Sequence, residues 1–466
     1  MMLALAFIVT LVGHALASPA LKVISFGTTS GGFDAPARGW NSFGIQANNV
    51  VSDWKFDQAH VQTQCDVLSS KLSAGNYTYC SLDSGWSMGS DGDSYGRIIP
   101  DTTVFPNLAG LAAHLHSSGL QLGVYVVPGG FIADTNKTIY GTSTKIGSVC
   151  TGDNGLKRCN WDYSQGATQQ WFNSVANQFA SWGIDFIKLD YITPGSPSNG
   201  VYLRADASGE VIAWRKAIDQ CGRKIRLDIS WKLDRSQKNF AIWNQNADSM
   251  RTDQDINNSG SNTFVAWATV QRAIENYRQW ISAGSQYFST INVRPDLDNL
   301  YASNEPSISG ISYAEQQTMM SHWIGAGANL ILGDDLTRLN SFGTYVLTHP
   351  AAQAVTSFTA KYPMQPRNPG SGGNSPKQVQ AWIAGPSPSG EAVVLLVNYG
   401  PDQGQGGFGT KNSGSQHLVI SYDDLGVKAP YRVFDVWNDN YWGDVSTGLS
   451  VNIAEGQSFL LHLTRP

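Results

Sequence analysis

Asp190 stands two residues after Lys188 in Phe186-Ile187-Lys188-Leu189-Asp190-Tyr191, and Asp255 stands four after Arg251 in Arg251-Thr252-Asp253-Gln254-Asp255-Ile256. Both segments read as the C-terminal ends of β-strands. The two-residue period of a strand puts Phe186, Lys188 and Asp190 on one face, and Arg251, Asp253 and Asp255 on another. A cation and a carboxylate closing an apolar strand need each other or a ligand. Taken alone, the first pair fits a structural salt bridge as well as a catalytic one, whereas the second favours function, with a solvated loop as the alternative. Two carboxylates on different strands of one sheet suit cleavage of a glycosidic bond, one attacking the anomeric carbon while the other protonates the leaving oxygen. Lys188 is expected to lower the pKa of the attacking group; burial and the neighbouring negative charge are expected to raise that of the acid.

Such strand ends need a scaffold that brings them to one place. From about residue 38 to 355, β-rich apolar runs alternate with helical stretches. The expected strands are Gly39–Phe43, Tyr77–Leu82, Leu120–Val127, Ile184–Tyr191, Ile225–Trp231, Ser249–Ile256, Gln286–Val293 and Asn329–Leu332. Helical segments include Trp54–Leu72, Ala167–Trp182, Phe264–Ala283 and Ser312–Ile324. This alternation implies βαβ units and a parallel sheet. Eight units match an α/β, (β/α)8 TIM barrel, whose active site gathers at the C-terminal strand ends; an open doubly wound sheet is the alternative. Residues 363–376, rich in Pro, Gly, Ser and Asn, read as a linker. Residues 377–466 carry short strands without helical spacing, as in an antiparallel β-sandwich domain.

The composition narrows the class further. Thirty-one basic against 36 acidic residues give a net charge of −5, with no electrostatic reason to expect nucleic acid or an anionic membrane as partner. Residues 1–17 read as a signal peptide: Leu3–Val12 is apolar, Ala15-Leu16-Ala17 precedes Ser18, and the run is short of the ~20 residues that span a bilayer. The catalytic unit is then 18–362, and the protein is expected to be secreted. Five cysteines suit an oxidising compartment with up to two disulfides, Cys150–Cys159 being the preferred pair. Sequons at Asn76 and Asn136 are candidate glycan sites; that at Asn257, beside the proposed acid/base, is expected to be unused. No CxxC, HExxH or zinc spacing occurs, so neither metal nor cofactor is expected. Gly404-Gln405-Gly406-Gly407-Phe408-Gly409 matches GxGxxG but has no helix behind it and reads as a loop. His114 and His116, two apart on a helix, face different ways.

The ordered motifs resemble glycoside hydrolase family 27, the α-galactosidase and α-N-acetylgalactosaminidase group, over residues 38 to 466. They are Arg38-Gly39-Trp40-Asn41-Ser42, Asp83-Ser84-Gly85-Trp86, Asp93-Ser94-Tyr95-Gly96-Arg97 with Phe105-Pro106, and Gly119-Leu120-Gln121-Leu122-Gly123-Val124-Tyr125. Trp182-Gly183-Ile184-Asp185-Phe186-Ile187-Lys188-Leu189-Asp190, then Arg251 with Asp255-Ile256, and Pro295-Asp296-Leu297 complete the series. The resemblance implies Asp190 as nucleophile, Asp255 rather than Asp253 as acid/base, and a retaining mechanism through a covalent glycosyl-aspartate. It implies that Lys188, Arg251 and Asp83 bind around the sugar, with Trp40 and Tyr125 as pocket walls.

The sequence departs from that pattern where sugars are read. Ser84 replaces the second of two adjacent aspartates, Phe43 stands where a Trp is usual, and Ile229-Ser230-Trp231 replaces Cys-Glu-Trp or Cys-Ser-Trp. Leu233 takes a position where an acetamide pocket needs a small residue, and Tyr191-Ile192 stand where the family has a cysteine. Asp228 is a candidate replacement carboxylate. The implied substrate is an oligosaccharide or polysaccharide carrying a terminal α-galactosyl residue or a related sugar such as β-L-arabinopyranose. Trp40, Asp83, Ser84, Tyr125, Lys188, Ser230, Trp231 and Arg251 are the candidate binding residues. A sugar-binding protein without hydrolysis and a transglycosylase are the functional alternatives.

Overall fold

The computed structural model describes residues 18–466; the signal-peptide reading of residues 1–17 falls outside them. Eight parallel strands form the central sheet: β1 (Arg38–Asn41), β2 (Tyr79–Ser81), β3 (Gln121–Val126), β4 (Ile184–Leu189), β5 (Arg226–Ile229), β6 (Ser249–Arg251), β7 (Arg294–Asp296) and β8 (Leu330–Leu332). They pair in chain order from β1 to β7, and β8 returns to the free side of β1. A parallel bridge between Leu300 and Leu332, with Asn329 N donating to Pro295 O at 3.1 Å, joins β8 to the β7 side. The sheet is therefore a closed barrel, which leaves no edge.

The helices between strands pack outside it: α1 (Gln58–Lys71), α2 (Leu108–Ser117), α3 (Gly166–Trp182), α4 (Ser208–Gln220), α5 (Gln237–Asn246), α6 (Trp267–Tyr287), α7 (Tyr313–Ala326), α8 (Ser341–Thr348) and α9 (Pro350–Thr359). Helix α3 buries Trp171, Phe172, Val175 and Phe179, which recur at helical spacing, and stops at Gly183, whose φ of 84° suits a residue without Cβ. Along β4 the alternation works as a sorting rule. Ile187 and Leu189 join the main core, whereas Phe186 packs with Ala37, Tyr79 and Ile331 in a separate small cluster. Lys188 and Asp190 share the Phe186 face.

One expected strand is misplaced. Gln286 and Tyr287 are the last residues of α6, and Thr290–Ile291 pairs with Ser25–Phe26 outside the barrel. The barrel strand is Arg294-Pro295-Asp296 instead, a sequence with little β character. Burial of Arg294 compensates, because its guanidinium donates to the carbonyls of Ala360, Gly27 and Asp34 at 2.8–3.0 Å. The expected strand Ser249–Ile256 ends early, at Arg251.

The C-terminal strands are β9 (Gln365–Arg367), β10 (Val379–Ala384), β11 (Ala392–Asn398), β12 (Gln416–Ser421), β13 (Tyr431–Asp435), β14 (Asn440–Val445), β15 (Gly448–Ile453) and β16 (Ser458–Thr464). Six make one antiparallel sheet in the order β9-β10-β11-β16-β13-β14, faced by the β12-β15 pair. The stretch at 363–376 thus contributes a strand to this sheet. Strand β11 is apolar on both faces: Val393, Leu395 and Val397 join the barrel's core, and Ala392, Val394 and Leu396 the sandwich interior. That double burial explains its unbroken apolar run.

Two disulfides are present, Cys150–Cys159 and Cys65–Cys80, and Cys221 is free. Cys65–Cys80 ties α1 to β2 across a separation of 15 residues, with both cysteines fully buried. Closing a loop of that length stabilises a fold by ~3 kcal/mol, largely through the unfolded chain. Replacing both residues by Ala is expected to cost about that much in urea unfolding at 25 °C, with kcat unchanged below the transition. A variant as stable as the parent would contradict this.

Candidate active site

The barrel delivers its charged residues to one mouth because all eight strands are parallel. Asp83 follows β2, Tyr125 lies near the end of β3, and Asp190 follows β4. Ser230 and Trp231 follow β5, Arg251 ends β6 with Asp255 four residues on, and Asp298 follows β7.

Lys188 donates to Asp83 Oδ2 at 2.8 Å, and both side chains are almost wholly buried. Its ammonium also lies 5.3 Å from the Phe43 ring centre and 5.7 Å from that of Tyr125, which adds cation–π attraction. Burial alone would pull its pKa down, but the carboxylates of Asp83 and Asp190 outweigh it and hold Lys188 firmly charged. Asp83 is fixed in turn: its backbone N–H donates to Ser42 Oγ at 2.9 Å, and its Oδ1 accepts from the N–H of Ser84 at 2.9 Å.

Asp190 accepts from the Tyr125 hydroxyl through Oδ2 at 2.9 Å, while its Oδ1 is buried with no protein partner. Burial, and the charge on Asp255, raise the pKa of Tyr125's partner, Asp190; Lys188 opposes the rise without cancelling it. Lys188 therefore acts on Asp190 in the expected direction, but desolvation wins. The Tyr125 phenol is itself pushed well up by burial and by Asp190, so it remains a donor. Directly after Asp190 the chain turns at Tyr191, whose φ of 57° is strained for a bulky residue. The Tyr191 ring meets Trp231 edge-on at 5.1 Å.

Arg251, 1% exposed, is the second anchor. Its Nη2 donates to Asp255 Oδ1 at 2.9 Å and lies 3.1 Å from Asp298 Oδ2. Burial pushes Asp255 up, yet Arg251 and Lys188 outweigh it and leave its pKa below the usual carboxylate range. This reverses the order expected from sequence. Without a ligand, the carboxylate read as the acid is stabilised as an anion by a guanidinium, and the one read as the nucleophile bears the desolvation cost.

Asp298 was not singled out in the sequence. Its φ of 77° turns its carboxylate back toward β6, where Oδ2 also accepts from the N–H of Ile256 at 2.8 Å. Burial, opposed by Arg251, raises it to about 6. The only sequence signal for it is a further acid two residues after Asp296. The shared face expected for Arg251, Asp253 and Asp255 does not form, because β6 has already ended. Asp253 is fully buried and faces α6, where Arg272 Nε donates to its Oδ2 at 2.7 Å.

Other predicted residues fall as follows. Trp40 has no exposed surface, and its indole N–H donates to Asp334 O at 2.8 Å, bracing β1 rather than forming a pocket wall. Ser84 is exposed beside Asp83, and Gln46 Nε2 donates to its carbonyl at 2.8 Å. Ser230 Oγ, Trp231 Nε1 and Arg251 Nε are buried without protein partners, so unused hydrogen-bonding capacity sits at the ends of β5 and β6. Asp228 lies in the barrel interior, bonded to Ser249, its pKa raised well above normal by burial and by Asp296. It lines a small cavity of about 20 Å³ with Lys188, Arg251, Asp296 and Asp298.

Residues 377–463 match the family model described as the alpha galactosidase C-terminal beta sandwich domain. Alpha-galactosidase 3 of Hypocrea jecorina is 46% identical over 457 residues, covering 96% of this chain and 73% of that protein. The chain belongs to glycoside hydrolase family 27, the α-galactosidase family. It is a glycoside hydrolase by that membership. Among solved structures, the family 27 β-L-arabinopyranosidase of Geobacillus stearothermophilus has the same fold at a TM-score of 0.75 and 20% identity, covering 93% of this chain and 98% of that one. α-Galactosidase I of Mortierella vinacea superposes at 0.64 with 18% identity, covering 92% and 97%.

In this family 27 chain, the raised pKa of Asp190 makes a testable claim about stability. Folding disfavours its charged form, so a destabilisation appears as pH rises above the unfolded carboxylate value of ~3.9 and is complete above the higher folded value. Asp190→Asn keeps an acceptor for Tyr125 and removes the charge. Its Tm is expected to exceed that of the parent by roughly 1–3 °C at pH 7, with the gap closing toward pH 4. Scanning calorimetry at both pH values checks this; a lower Tm at pH 7 would refute it.

Proposed function

We propose that this chain is a secreted, retaining exo-glycosidase that removes terminal α-galactosyl residues from oligosaccharides or polysaccharide. Asp190 is the nucleophile and Asp255 the acid/base. The observation that carries the reading is the pair itself: two carboxylates, just beyond the ends of β4 and β6, share one barrel mouth, and the charge on Asp255 raises the pKa of Asp190. One is buried with a free oxygen, and the other rests on a guanidinium. The names of the family relatives, α-galactosidases, support the substrate class.

The chemistry follows from the contacts. Tyr125 orients the Asp190 carboxylate through Oδ2, and that carboxylate attacks the anomeric carbon as the glycosidic C–O bond breaks. Asp255 gives its proton to the departing oxygen. Water then attacks the same carbon, Asp255 takes the water's proton, and Asp190 leaves, so the anomeric configuration is retained. Asp83, Lys188, Ser230, Trp231 and Arg251 are the groups proposed to hydrogen-bond the sugar hydroxyls. Ser84 supplies a hydroxyl where a second carboxylate is usual in this family, so the sugar's hydroxyl pattern is the point to test. Two disulfides and exposed Asn76 and Asn136 sequons accord with secretion. Among the described residues, no helix is long and apolar enough to cross a membrane.

Aryl α-galactosides, α-N-acetylgalactosaminides and β-L-arabinopyranosides form the test panel, with product anomers followed by NMR. The α-galactoside is expected to be the best substrate and to give the α-anomer first. Asp190→Asn is expected to lower kcat by at least ~10³-fold. Binding of sugars with no turnover of any glycoside would favour a lectin-like role instead, and near-parental turnover by both Asp190→Asn and Asp255→Asn would refute the assignment.

The productive state needs Asp190 charged and Asp255 protonated, whereas the free site raises the first and lowers the second. Only a minor fraction of free enzyme is then correctly protonated, and the interacting pair titrates as a unit. The kcat/KM profile is expected to be bell-shaped, with both limbs on the acid side of neutrality. A plateau extending to pH ~8 would count against the pair.

A further inference from the structure

Asp255 sits on a loop that has left the sheet, and its side chain is 39% exposed. Arg251 holds its carboxylate, so the loop backbone needs a separate anchor, and α6 provides one. Arg272 Nε donates to Asp253 Oδ2 at 2.7 Å, and its Nη2 donates to the carbonyls of Asp255 at 2.7 Å and Gln254 at 3.3 Å. One planar guanidinium thus grips three consecutive residues, a task its fixed fork suits and a lysine ammonium does not. Lys232 Nζ lies 3.8 Å from the other oxygen of Asp253.

The remaining arm of Arg272 reaches the C-terminal domain, where Nη1 donates to Gln405 Oε1 at 3.3 Å. Gln405 belongs to the glycine-rich loop that matches GxGxxG, and the structure gives that loop an internal purpose. The Asp402 carboxylate accepts from the N–H groups of Gly404, Gly406, Phe408 and Gly409 at 2.6–3.1 Å. Gly404, Gly407 and Gly409 adopt φ of 92°, 76° and 65°, which residues with Cβ resist. The folded loop is fastened to α6 beside Arg272: Gln403 N donates to Gln271 Oε1, and Gln271 Nε2 donates to the carbonyls of Tyr399 and Pro401, each at 3.1 Å.

We propose that Arg272 is a positioning residue that sets the reach of Asp255 toward the leaving oxygen, and that Gln405 of the C-terminal domain braces it. The proposal rests on the acid/base assignment of Asp255. Proton transfer needs an approach of ~2.6–3.2 Å, and a misplacement of ~1 Å can cost about 100-fold, so a loosened loop impairs proton donation before it impairs binding.

Arg272→Met, Arg272→Lys, Gln405→Ala and Asp255→Asn, each in the full chain, are compared by kcat/KM on glycosides of the sugar that the parent cleaves. The leaving groups run from 2,4-dinitrophenol, which departs unaided, to methanol or a second sugar, which need the proton. Arg272→Met is expected to lose ~10–100-fold on the poor leaving groups and under about 3-fold on dinitrophenol. Arg272→Lys should recover part of the loss, and Gln405→Ala should show the same selectivity in weaker form. The same loss on every leaving group, or none on any, overturns the positioning role; Gln405→Ala and Arg272→Lys decide the matter should Arg272→Met fold poorly. Asp255→Asn separates the two assignments. Steep leaving-group dependence there with none in the Arg272 variants removes only the proposal, whereas a flat Asp255→Asn removes the acid/base reading beneath it.

Discussion

Two cations, Lys188 and Arg251, share the barrel mouth with the carboxylates of Asp83, Asp190, Asp255 and Asp298, and of these Asp255, 39% exposed, is not deeply buried. A buried ion costs several kcal/mol unless it is paired and hydrogen-bonded. The site is therefore an allocation of two positive charges among four negative ones. Lys188 goes to Asp83, and Arg251 is shared by Asp255 and Asp298. Asp190 has only a phenol and a cation engaged elsewhere. The carboxylate with the least compensation is Asp190, the one proposed to attack carbon.

That allocation depends on register. Tyr125, Lys188 and Asp228 are paired in register on β3, β4 and β5, so a one-residue slip of β4 would send Lys188 and Asp190 outward and bring Ile187 and Leu189 in. Closure of the barrel and the apolar clusters on both sides of its strands hold the register. The C-terminal sheet extends this rigidity, because one of its faces is part of the barrel's own core. Its glycine-rich loop meets α6 at the residue that grips the Asp255 loop.

Much of this was legible in the residues. The alternation at 184–190 placed Lys188 and Asp190 on one face, and the spacing of Cys150 and Cys159 marked a disulfide that is present. Strand β7 was not legible, because Arg-Pro-Asp owes its conformation to carbonyls far along the chain that accept from Arg294. Asp253 was placed with Asp255 by a two-residue period that applies only while a strand lasts. Asp298 and Arg272 lie 43 and 17 residues beyond Asp255, and nothing local marks either as its neighbour.

By itself the sequence determined the periodicities, and with them the alternation of strands and helices, the sandwich and the strand ends that carry charge, because burial of apolar faces is written in local spacing. The ordered motifs determined the family. Tertiary structure decided which cation serves which carboxylate, and so which carboxylate has its pKa raised and which has it lowered. Those outcomes depend on distances of a few ångströms between groups far apart in the chain and on how much water each group has lost, and neither quantity exists until the barrel closes.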